Sequence, residues 1–97
     1  MIILNSNLNL VINDELTIPV NSFSEMIITQ DGEDEVAARA MKLEDAVVES
    51  LETLGAIAKL ELIKNDEVIW SSTKYTSIKR LSFEANPDYF EYSIIFN

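Results

Sequence analysis

Apolar side chains take alternate positions through Leu8, Leu10 and Ile12, and again through Leu16, Ile18 and Val20, with Asn13-Asp14 between the two runs. Successive strand side chains point to opposite faces, so this pattern predicts a half-buried β-hairpin. Pro19 has no N–H to give to a ladder, which places its segment at an edge or a bulge. Another extended segment is expected from Glu25 to Gln30.

The period changes after Asp31-Gly32. Val36, Ala40, Leu43, Val47, Leu51 and Leu54 recur every three or four residues, the spacing of an apolar helical stripe. It predicts a helix over 34–54, with Gly55 as a C-terminal stop. A competing reading takes Asp31-Gly32 as a two-residue hairpin turn, pairs 35–41 back on 25–30 and confines the helix to 43–54. Alanines at 37, 38 and 40 favour helix over strand, so the longer helix is preferred.

The remainder reads as an antiparallel meander. Ala58, Leu60 and Leu62 alternate before a turn at Asn65-Asp66, and Val68, Ile69 and Trp70 follow it. A strand over 78–83 precedes the break at Asn86-Pro87-Asp88, after which Phe90, Tyr92, Ile94 and Phe96 share one face. One amphipathic helix on a mainly antiparallel sheet, of about five to seven strands, buries both patterns in an α+β domain. Such a sheet could also curl into a small barrel. The 97 residues suit a single small acidic domain spanning 1–97.

Charge changes this picture by dividing the chain. Residues 1–52 carry eleven carboxylates against Arg39 and Lys42, whereas 53–97 carry six against five basic groups. Nine of the ten net negative charges therefore lie in the first half. Such a field disfavours direct nucleic-acid contact and anionic membranes, and favours a basic protein partner. With no cysteine and no histidine, disulfides, thiolate metal sites and histidine acid–base chemistry are excluded. The opening Met1-Ile2-Ile3-Leu4 lacks a basic n-region, and cytoplasmic or virion-associated placement is the least demanding expectation.

Candidate chemistry is correspondingly sparse. Asp31, Glu33, Asp34 and Glu35 have charge density suited to a hard cation but not the spacing of a calcium loop, so no metal is assigned. Together with Glu44, Asp45, Glu49 and Glu52 they could form a negative ridge on a helix and its leading turn. That ridge would be a solvated face, an epitope for a basic protein, or an imitation of the phosphate field of DNA. No phosphate loop, nucleophile elbow or serine–lysine pair is present, and Ser71, Ser72 and Lys74 read as a polar strand end or turn. No catalytic residue and no cofactor is assigned.

Among the aromatics, Trp70 and Phe83 are expected in the core. Tyr75, Tyr89 and Tyr92 are the better candidates for a partly exposed patch, although core burial is the leading reading for them too. Lys74, Lys79 and Arg80 make too weak a basic footprint for nucleic acid. The terminal segment 91–96 would offer a pairing edge to a second copy or an assembly partner if it lay at the end of the sheet. The expected function is thus a non-enzymatic protein–protein interaction or assembly module, combining an acidic surface with an apolar or strand-edge patch. The alternative is a nucleic-acid mimic that occupies the basic groove of a DNA- or RNA-binding protein. Size and acidity fit the general style of small phage-encoded proteins, without a motif that establishes that origin.

Overall fold

Both Asn-Asp dipeptides turn the chain as their placement between apolar runs predicts. Asn13, Asp14, Asn65 and Asp66 have φ of 52–65°, the left-handed region that Asn and Asp tolerate better than other side chains. The computed structural model describes residues 2–27, 34–85 and 90–97. These form β1 (Ile2–Ile12), β2 (Leu16–Ile27), β3 (Asp34–Ala40), α1 (Asp45–Glu52), β4 (Leu60–Lys64), β5 (Glu67–Ser72), β6 (Ile78–Ala85) and β7 (Phe90–Phe96). The strands make one sheet in the order β5-β4-β1-β2-β3-β7-β6, with every neighbouring pair antiparallel. The sheet therefore has two end strands, β5 and β6, and is not closed into a barrel. One helix on a mainly antiparallel sheet is the α+β arrangement expected.

Alternation builds the core. Leu8, Leu10 and Ile12 of β1 stand beside Ile18 and Val20 of β2 on one side and Leu60 and Leu62 of β4 on the other, all buried. Val36 and Ala38 of β3 continue the same face toward Ile94 and Phe96 of β7. The phase of β2 changes between Val20 and Phe23, both buried, so Phe23 also turns inward. Pro19 pairs with Asn9 of β1, whereas β3 begins its pairing with β2 at Ser22. Proline thus lies where β2 has no neighbour on its β3 side, and its missing N–H leaves no ladder bond unmade. Residues 41–47 take the vacant place, with the Met41 N–H donating to Asn21 Oδ1 at 3.2 Å.

One expectation is corrected here, and one alternative that the sequence leaves open is answered. Residues 34–40 form a strand and α1 spans 45–52, so the helix does not run over 34–54. β3 pairs back on β2 as in the hairpin reading, but on residues 22–27 rather than 25–30, and Asp31-Gly32 lies outside the described residues. Alanine's helical advantage is at most roughly 0.7 kcal/mol per residue over ordinary residues, and here the alanines have a packing reason to be in a sheet. Ala38 lies between Phe23 and Ile94 in register, where a small residue leaves room for two large neighbours. The terminal strand β7 lies between β3 and β6, so it is an internal strand and offers no edge.

Residues 73–77 run from one end strand to the other and carry Tyr75 into the interior. Tyr75 is only 1% exposed, in keeping with the leading core reading, and so drops out as a candidate for a partly exposed patch. Its hydroxyl donates to Glu25 Oε2 at 3.0 Å, and its ring lies 6.2 Å from Trp70, which in turn stacks on Phe23 at 4.7 Å. Burial first, and then the hydrogen bond and charge of Glu25, push the Tyr75 phenol up to about 12. Backbone bonds tie this strap to the rest: Ile57 N–H donates to Thr76 O at 2.8 Å, and Thr76 N–H to Asn97 O at 2.9 Å.

Asn13 adds a second tie. Its Oδ1 accepts from the N–H groups of Ala58 at 2.6 Å and Lys59 at 3.2 Å, and its Nδ2 donates to Ala56 O at 3.2 Å. One carboxamide thereby satisfies the backbone that leads from α1 into β4. Lys59 bridges Asp14 at 3.3 Å and Glu61 at 3.2 Å. Glu61 first, and then Asp14, holds the Lys59 ammonium above its usual range.

Candidate interaction surfaces

Helix α1 buries Leu51 and partly buries Val47 and Val48, so its remaining surface is turned outward. Asp45, Glu49 and Glu52 follow at spacings of four and three, which sets them along one helical face, and all three are exposed. Glu44, at the N-cap, is exposed as well and makes no side-chain cap bond. Asp45 sits favourably in the first turn, but the last turn holds no basic residue. Glu49 and Glu52 therefore face the negative end of the helix dipole, an arrangement unfavourable by roughly 0.3–1 kcal/mol per charge. None of the four has an ion-pair partner among the described residues.

The eight-residue acidic ridge does not hold together as one surface. Glu35 is 5% exposed on β3 and forms an ion pair with Lys79. Lys79 is the extra residue of a bulge between Ile78 and Arg80, and the bulge aims it across the end of β7. Asp34 opens β3 rather than a helix. Asp31, Glu33 and Tyr89 lie outside the described residues. What remains is a compact patch made by Glu44, Asp45, Glu49 and Glu52, on a span of about 12 Å at the 1.5 Å rise of a helix.

Apolar surface flanks this patch on both sides. A groove of about 570 Å³ runs between Pro19 of β2 and the start of α1, with Met41, Leu43 and Val47 on its walls and Lys42 and Glu44 at its rim. Met41 is 46% exposed there. On the opposite side a cleft of about 300 Å³ separates Val48 and Glu52 from Leu81, Phe83 and Tyr92. Phe83 is 50% exposed and stacks on half-buried Tyr92 at 4.7 Å. Phe83 is thus corrected from core to surface, while Tyr92 keeps its place in a partly exposed patch. The cause is the length of α1, since a short helix does not reach over the whole inner face of β6 and β7.

Other candidates resolve simply. Lys74 N–H donates to Ser72 Oγ at 3.0 Å, which makes Ser71–Lys74 the polar strand end expected. No group of three or more acidic side chains suited to a metal occurs among the described residues. No helix there is long and apolar enough to cross a membrane. Comparison with known proteins finds no matching family model, no matching curated protein and no matching solved structure.

Proposed function

We propose that this chain is a non-enzymatic interaction module that receives a basic segment of another protein along α1. The observation that carries this reading is the set of four exposed carboxylates on and before α1, two of them held against the helix dipole and none with an ion-pair partner among the described residues. A cationic segment would supply the charge that the fold itself does not. The adjoining groove at Pro19, Met41 and Val47 would take an apolar side chain of the same segment and provide the burial that charge alone does not give.

The test uses the tagged full chain and a variant carrying Asp45→Asn, Glu49→Gln and Glu52→Gln, each exposed to native lysate and washed at low and high salt. The expected result is a basic protein retained by the unmodified chain at low salt, weakened at high salt and lost from the variant. The same retained species and salt profile for both chains would sink the reading. The acidic patch also supports the mimic reading, since an occupant of that kind would be a nucleic-acid-binding protein. Displacement of the retained protein by duplex DNA would select the mimic over a general adaptor.

A further inference from the structure

The end strand β6 can pair with its own copy. Beyond the bulge at Lys79, residues 80–85 run in unbroken register against β7. Leu81 and Phe83 share a face with their partners Ile94 and Tyr92, which leaves Arg80, Ser82 and Glu84 on the other face. Two copies joined edge to edge with their inner faces on the same side must place residues of equal parity opposite each other. Centring the two-fold axis on Ser82 sets Arg80 against Glu84 twice, and Leu81 against Phe83 twice. Centring it on Leu81 instead sets Arg80 against Ser82 and Lys79 against Phe83, leaving the charges unmatched. Centring it on Phe83 sets Ser82 against Glu84.

The monomer contains two features that the Ser82-centred register would relieve. Glu84 stands directly across from Glu91, a like-charge cross-strand pair that is unfavourable, and Glu91 already has Arg39 at 3.5 Å as its partner. Arg80 and Glu84 are exposed, and neither has an ion-pair partner among the described residues. Phe83 is half exposed at the same edge. The charge balance also selects this edge. In a chain of net charge −10, β6 carries Lys79 and Arg80 against Glu84 alone, so it is a place where two copies can approach without opposing carboxylate fields.

From this we infer that β6 is a homodimerisation edge, with a second copy of the chain as its occupant, antiparallel and centred on Ser82. The inference is independent of what α1 recruits, and its test leaves the α1 carboxylates untouched.

Sedimentation of the full chain over a wide concentration range is expected to show a monomer–dimer equilibrium. Arg80→Glu and Glu84→Arg should each weaken it by about tenfold or more, since each sets like charges opposite one another twice. Mixing those two variants should restore a heterodimer, because every opposed pair is then again of unlike charge. Ser82→Cys, the sole thiol in a chain without cysteine, should oxidise to a covalent dimer, since directly opposed strand residues lie about 4.5–5.5 Å apart at Cα, within disulfide reach. Ser71→Cys on β5 serves as the control and should form no covalent dimer. A wild-type chain that remains monomeric throughout overturns the proposal. So does a dimer that is indifferent to both charge reversals, and so does cross-linking no faster at position 82 than at 71.

Discussion

Phe23 with Trp70 and Phe83 with Tyr92 are two aromatic pairs of almost the same geometry, each with ring centroids 4.7 Å apart and tilted planes. Their surroundings differ completely. Phe23 is fully buried, with Tyr75 lying over Trp70 as a lid and Glu25 fixing the Tyr75 hydroxyl. Phe83 stands half exposed at the margin of a short helix. Ring pairing therefore does not decide which aromatic is core; the element that covers the pair does. For the first pair that element is the strap over 73–77, and for the second, among the described residues, it is the flank of α1.

The comparison predicts unequal losses. Phe23→Ala should cost about 3–5 kcal/mol, because the cavity opens beneath Trp70 and cannot collapse; chemical denaturation reads this directly, and a loss below about 1 kcal/mol would break the contrast. Next comes Ala38→Leu, which forces added volume between Phe23 and Ile94 and should cost about 1–3 kcal/mol. A neutral result would show that the small slot beside Phe23 has slack.

Tyr75→Phe should cost about 1 kcal/mol at neutral pH by removing the bond to Glu25, and it also carries a signature in pH. The folded phenol, raised to about 12, holds its proton more tightly than the unfolded one at 10.0. The stability it contributes is thus complete below pH 10 and is lost as pH rises toward 12, a change on the order of 2 kcal/mol. Denaturation followed across that window should show a shallower alkaline fall in the variant, and identical slopes would mean that Tyr75 is not held as described. The smallest effect belongs to Phe83→Ala, which in dilute, monomeric protein should shift stability by less than about 1 kcal/mol. A large loss there would show that the open end is core after all.

How far the sequence could be read depended on whether the deciding partner was local. Asn13-Asp14 and Asn65-Asp66 were legible because a hairpin turn is chosen by its own φ angles. Strand alternation in β1, β4 and β7 was legible for the same reason. Residues 34–40 were misread because Ala37, Ala38 and Ala40 follow helix propensity in isolation, and the large side chains that make alanine right in β3 come from residues 23 and 94. Glu35 looked like one more solvated carboxylate because its cation, Lys79, is supplied by a bulge 44 residues away. For Tyr75 core burial was the leading reading, but what buries it was not legible, since the crossing between the two end strands is a long-range feature. The acidic character of the candidate site was visible in charge counts alone. Its limits were not, since α1 turned out to be eight residues long.

The strand order also sets a timetable. β1 pairs with β2 and β2 with β3, and likewise β4 with β5 and β6 with β7, so three local units can each form by closing short loops. The two remaining seams, β1 to β4 and β3 to β7, join positions such as Leu8 with Lys64 and Val36 with Phe96. Loop closure over such distances is slow, and chains dominated by non-local strand pairing fold in milliseconds to seconds rather than microseconds. During synthesis the N-terminal meander emerges first, with both its flanks waiting for hairpins the ribosome has yet to deliver.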